Sequence, residues 1–185
     1  MAPPRRRLST YLQANERAAG SVSDPTRAQL DHLERECDAR LVSVDVRHFL
    51  GGECDAATSA ALVADAVAAT RTADIFGFRA AESRDMIVDL ASEAAARAAS
   101  VDEIAQRITG NLARLARKVL EVPGLSVKRV YLTGGDMTVS FCNALGALAI
   151  ELEEEIFPHV SYGVLRGGKF DGIKVTTKGD RKSVV

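Results

Sequence analysis

Val130-Tyr-Leu-Thr-Gly-Gly-Asp136 is an apolar, β-branched run that stops on two glycines and an acid. It reads as the end of a strand, Lys128–Thr133, turning at once into a helix from about Met137 to Leu145 that Gly146 stops. Gly134 and Gly135 let the backbone take positive φ and approach a ligand closely. The helix start behind them carries free N–H groups and a partial positive charge, which suits a phosphate. Asp136 is a candidate for holding a metal-bound water, or it simply caps the helix. Neither G-x-G-x-x-G nor G-x-x-x-x-G-K-S/T is present, so the competing reading is a tight turn that binds nothing.

Working outward, strands and helices alternate. Asp24-Pro25 opens a helix to about residue 38, with Asp24 as cap and Pro25 at the first helical position. Leu41–Val46 reads as a strand, Ala56–Thr70 as an Ala-rich helix and Ala73–Phe78 as a strand. Residues 83–99 read as helix. Ser100-Val-Asp-Glu103 is a capping box, and Ile104, Ile108, Leu112, Leu115 and Val119 follow as the stripe of a helix buried on one side. Leu148–Leu152 and Ile173–Thr177 are the last strand candidates. The acidic run Glu151, Glu153, Glu154 and Glu155 reads as a solvated face. The alternation predicts an α/β fold, a three-layer Rossmann-like, mainly parallel sheet flanked by helices. In such sheets ligands sit at the carboxyl ends of the strands.

Two further segments place polar groups at strand or helix ends. Gly20-Ser21-Val-Ser23 precedes the first helix, so Ser21 and Ser23 can donate to phosphate oxygens; an N-cap loop is the plainer reading. Gly163–Gly179 holds several glycines and Lys178, which can reach a phosphate as a point charge; a hairpin-like tail with a surface lysine is the alternative.

A length of 185 residues suits one domain of the usual size, about 100–200 residues. Lys plus Arg number 24 against 25 Asp plus Glu, so the net charge of -1 argues against a general binder of nucleic acid or membrane surfaces. Aromatics are only 5% and Trp is absent, which predicts an aliphatic core. No apolar run approaches the ~18 residues of a membrane span. Cys37, Cys54 and Cys142 are widely spaced, and no C-x-x-C or H-x-x-x-H occurs, so no metal site is expected and the thiols fit a reducing cytoplasm. Arg5, Arg6 and Arg7 have no apolar run after them, so the start is not a secretory signal. Leu12–Ala19 is polar and reads as helix or coil. The expected organisation is therefore a basic, flexible segment over 1–19 and one domain over 20–185.

Taken in order, Gly20-Ser-Val-Ser-x-x-Thr26-x-x-Gln29, Leu132-Thr-Gly-Gly-Asp136, Leu145-Gly146, Leu152-x-x-Glu-Ile156, Gly163–Gly172 and Val175-Thr-Thr-Lys178 resemble the C-terminal nucleotide-binding domain of the four-carbon acid sugar kinases. The resemblance implies ATP with Mg²⁺, and phosphorylation of threonate, erythronate or oxo-tetronate type acids at a hydroxyl. It implies that Ser21, Ser23, Gly134, Gly135, Asp136, Met137, Lys178 and Gly179 contact the nucleotide, with Asp136 as the catalytic candidate. The chain departs from the family pattern at Met137, at His159-Val-Ser161, beyond Gly179, and before Gly20, where an apolar strand is normally found. Family members also carry a sugar-binding lobe ahead of this domain, which residues 1–19 cannot supply. The expectation is an ATP/ADP-binding lobe, truncated, with weak or no kinase activity alone, that acts with a separate sugar-binding lobe or a second copy of itself. The competing expectation is a non-catalytic α/β interaction module or an inactive remnant, its missing strand leaving a sheet edge open.

Overall fold

The computed structural model describes residues 8–13, 24–80 and 86–179. Its strands are β1 (Leu8–Gln13), β2 (Ala39–Ser43), β3 (Ile75–Arg79), β4 (Val127–Thr133), β5 (Ala149–Phe157), β6 (Val160–Arg166) and β7 (Lys174–Lys178). Its helices are α1 (Asp24–Glu36), α2 (Ala56–Thr72), α3 (Leu90–Ala96), α4 (Val101–Leu120) and α5 (Gly135–Leu145), with a short 3₁₀ turn at Val46–Phe49. One sheet runs in the order β2-β3-β1-β4-β7-β6-β5. The pairings among β2, β3, β1, β4 and β7 are parallel, and β6 pairs antiparallel with both β5 and β7. The α/β class and the mainly parallel sheet are as expected.

Strand β1 corrects the expectation for the N-terminal segment. Residues 8–13 lie in the middle of the sheet, and Leu12 and Gln13 are strand rather than helix or coil. Thr10 sits in register with Phe76 on one side and Val130 on the other, and is 2% exposed. A short polar strand holds here because parallel neighbours on both sides take up its backbone hydrogen bonds. The central position is thus filled, and a boundary at residue 20 would cut this strand from its own sheet.

The helix stripe on α4 is buried as its spacing predicts: Ile104, Ile108, Leu112, Leu115 and Val119 are all at most 2% exposed. They pack with Phe76, Phe78, Val130 and Leu132. The core is not purely aliphatic, because Phe49, Phe76, Phe78 and Phe141 are among its largest fully buried side chains. These four rings bury large area each and so carry a large share of the core. Strand β5 is the sheet's edge and is longer than expected. Its acidic run is exposed, but so are Leu152 and Phe157. Strand β6 was not foreseen. The helix expected over 83–99 is confined, among the described residues, to α3. Among the described residues no helix is long and apolar enough to cross a membrane.

The capping box forms as read. Ser100 Oγ accepts from the Glu103 N–H at 3.1 Å, and the Ser100 N–H donates to Glu103 Oε2 at 2.6 Å. These bonds hold the Glu103 carboxyl below its ordinary value, the backbone bond contributing most. A depressed carboxyl stabilises the fold above its unfolded-state value, and that contribution disappears as pH falls through the lower folded value. Asp55 and Asp89, which cap α2 and α3, are lowered too, first by side-chain hydrogen bonds from Thr58 and Ser92 and then by backbone ones. Melting temperature is therefore expected to fall on acidification below about pH 4.5. Ser100→Ala should cost about 1 kcal/mol at neutral pH and leave a shallower acid limb. An unchanged limb in thermal melts from pH 7 to 3 would contradict this.

Candidate functional site

Strand β4 delivers the chain to the sheet's carboxyl edge because Val130 and Leu132 are buried on one side. Gly134 then turns it with φ 96° and ψ 138°, a left-handed φ that a side chain would strain. Among the described residues no side chain caps α5. The first hydrogen bonds of the helix run to the Gly134 carbonyl, from the Thr138 N–H at 3.1 Å and from Thr138 Oγ1 at 3.0 Å. The N–H groups of Gly135, Asp136 and Met137 precede that bond, so they lack intrahelical acceptors. Gly135 and Asp136 are exposed.

Strand β7 lies beside β4, with Lys178 opposite Thr133. The Gly134 N–H donates to the Lys178 carbonyl at 2.9 Å, which fixes the turn to the end of β7. Lys178 Nζ donates to Gln29 Oε1 on α1 at 3.2 Å. The Gly179 N–H donates to the His159 carbonyl at 2.8 Å, and His159 itself takes φ 68°. The edge therefore brings Gly134, Gly135, Asp136, Met137, Lys178 and Gly179 together from two distant stretches of sequence.

Met137 needs a correction in kind. Its side chain is 1% exposed and packs in the core, so only its main chain is free to meet a ligand. Gly20, Ser21 and Ser23 lie outside the described residues. Asp136 lines a groove of about 650 Å³ between α4 and α5.

Helix α1, which carries Gln29, is held from beneath. Arg79 ends β3 with its side chain only 3% exposed, and its guanidinium pairs with Asp31 at 3.1 Å and Glu34 at 3.0 Å. Glu34 also accepts the Leu41 N–H at 3.0 Å. Sequence reading passed over this clasp. Its signal was an arginine closing the apolar run Ile75–Arg79, with two acids three residues apart on the facing helix.

Among the described residues no group of three or more His, Cys, Asp or Glu is placed to hold a metal ion. Burial pushes the Cys54 and Cys142 thiols up, so neither is a ready thiolate. A metal carried by phosphates is a different matter, since Mg²⁺ in nucleotide sites takes one or two carboxylates plus phosphate oxygens. The residues fit such a group. Among the described residues a Cβ built on Gly135 meets nothing within 4 Å, so they leave the space before the helix start open. Lys178 supplies a cation and Asp136 a carboxylate at that same edge.

A family model described as a nucleotide-binding C-terminal domain matches residues 18–179. The chain is 36% identical over 160 residues to a D-erythronate kinase of Heliobacterium modesticaldum, covering 86% of this chain and 36% of that protein. It is 26% identical over 163 residues to a D-threonate kinase of Salmonella typhimurium, covering 86% of this chain and 37% of that protein. The chain thus spans little more than a third of the length of these curated relatives. The fold is similar to a crystal structure of a domain of unknown function from Bordetella bronchiseptica, described as a domain-swapped dimer with bound citrate. The TM-score is 0.64 at 24% identity, over 93% of this chain and 36% of that one.

Proposed function

Because the chain belongs to the family of nucleotide-binding C-terminal domains of four-carbon acid sugar kinases, we propose that its β4–α5 turn and Lys178 hold the phosphates of ATP. The single observation that carries this is the uncapped start of α5 at Gly134–Asp136, tied to the end of β7 by the Gly134–Lys178 hydrogen bond. Helix-start amides and a lysine are what a phosphate chain needs. Ser21 and Ser23 are proposed as further phosphate donors on the strength of the sequence resemblance.

Phosphoryl transfer asks a protein mainly for positioning and for charge aimed at the transferred group. The first-turn amides orient the terminal phosphates, Lys178 offsets their charge, and Gln29 holds the ammonium in place. Mg²⁺, when bound with the nucleotide, neutralises charge building on the phosphate oxygens, and Asp136 is the residue proposed to hold it, directly or through water.

The acceptor is proposed to be a four-carbon sugar acid, since the two curated relatives are named for erythronate and threonate. The chain matches little more than a third of each, so we propose that an acid-binding lobe orients the acceptor hydroxyl. Without that orientation a reaction forfeits up to about 7–11 kcal/mol of barrier lowering. Calorimetric titration of the purified chain with ADP and Mg²⁺ tests the reading. Saturable binding is expected, with threonate and erythronate turnover close to background. No binding at millimolar ADP would sink it, and steady turnover by the chain alone would sink the need for a second lobe.

A further inference from the structure

The turn between β5 and β6 has no role in the account so far. Phe157 and Val160 pair across it, so Pro158 and His159 are its two central residues. Proline suits the first of these positions, and a positive φ at the second is a place for glycine. Histidine stands there instead, with φ 68°. Its main chain is held from both sides. The His159 N–H donates to Glu155 Oε1 at 3.2 Å, and its carbonyl accepts the Gly179 N–H at 2.8 Å. Neither bond uses the ring. A side chain kept in a left-handed backbone conformation costs the fold something that glycine would not. Such outliers gather where the side chain itself is needed for function.

The ring is exposed, and among the described residues it makes no hydrogen bond. It belongs to the carboxyl edge. Val160, the next residue, lies opposite Lys178. A Cβ built on Gly179 would stand 3.8 Å from the His159 Cβ, so the bare backbone of Gly179 leaves the base of the ring uncovered on that side. Along this edge β4, β7 and β6 present Gly134, then Lys178 with Gly179, then His159 in succession. With neighbouring strands about 4.8 Å apart, the His159 backbone lies about 10 Å from the β4–α5 turn. The ring and a phosphate chain together can bridge that gap. An imidazole N–H is a donor whether the ring is neutral or charged, and a phosphate oxygen is a strong acceptor for it.

We propose that His159 is a further contact of the phosphate site, its imidazole donating to the terminal phosphate of bound ATP. The assignment rests on the phosphate reading above. It is particular to this chain, which departs from the family pattern at His159. Calorimetry with the non-hydrolysable analogue Mg-AMPPNP, on the full chain and on His159→Gly, tests it. Glycine relieves the backbone, so the melting temperature is expected to hold or rise. Affinity is nevertheless expected to fall about tenfold, the loss of one charge-assisted hydrogen bond. A residue serving only the turn would leave affinity unchanged or improved. The proton–carbon signals of the His159 ring, recognised by their absence from the variant, are expected to move when Mg-AMPPNP is added to wild-type protein. Unchanged affinity in His159→Gly, or ring signals that do not move, overturns the proposal and leaves the phosphate site standing. A variant that both melts lower and binds weakly also overturns it, since the ring would then be holding the turn. Failure of wild-type protein to bind Mg-AMPPNP overturns both readings.

Discussion

Gly135→Val is expected to abolish measurable MgADP binding while the protein stays folded. The backbone at Gly135 is helical, not left-handed, and an added Cβ meets nothing within 4 Å. Folding therefore loses little, since valine is no poorer a helix former than the glycine it replaces. The valine methyls instead enter the open space in front of the first turn of α5. A phosphate kept away from that turn loses two charge-assisted hydrogen bonds, each worth about 1.5–3 kcal/mol. Two such losses come to a factor of about 10²–10⁴ in affinity. Gly135→Ala should lose less, because one methyl leaves part of the approach free. Lys178→Ala should lose about tenfold, as expected for one partly solvated point charge. Calorimetry on the three variants reads the order directly. Equal affinity for Gly135→Val and wild type would place the phosphates elsewhere.

The second large effect concerns stability. Asp31→Asn combined with Glu34→Gln is expected to cost about 3–5 kcal/mol, because it leaves a buried guanidinium without a counter-charge. The two acids are 50% and 27% exposed, whereas the Arg79 side chain is 3% exposed. The consequence is asymmetric. Arg79→Met removes the buried charge and leaves two carboxylates that water can still reach, so its cost should fall well short of the double acid variant. Among the described residues the Arg79 Nε has no hydrogen-bond partner, which adds to the cost of burying its charge. Denaturant unfolding of both variants decides it, and an Arg79→Met loss as large as that of the acid pair would refute the argument. The double variant should also weaken ADP binding, since α1 carries the Gln29 that holds Lys178.

The parts of the fold legible in the sequence were those in which one local pattern is enough. The α4 stripe, its Ser100–Glu103 cap, and the run from Val130 through the glycine pair announce themselves by periodicity and turn chemistry alone. The missed parts depend on contacts far along the chain. Strand β1 is short and carries Ser, Thr and Gln, and it is a strand because β3 and β4 flank it. Strand β6 is interrupted by Gly163, which weakens a strand pattern. The partner strand explains the residue: a Cβ there would lie 2.3 Å from the Glu151 carbonyl oxygen, so only glycine fits against β5. At the candidate site, the β4–α5 turn and Lys178 were readable as separate loops. Their union through the Gly134–Lys178 bond, the α1 clasp and the α4–α5 groove was not, because each joins residues far apart in the chain.

The sheet order carries a consequence for how the protein is made. Its centre joins residues 8–13, 127–133 and 174–178 side by side. Pairings this far apart in sequence are slow to find, since the chain between them must first give up its freedom. On a ribosome, the amide of Gly134 waits without its acceptor until Lys178 has emerged and β7 has docked. Nucleotide affinity should therefore arrive late and all at once, as a sign that synthesis has passed the last strand. Nascent chains stalled before that strand should be helical and partly collapsed, and blind to ADP.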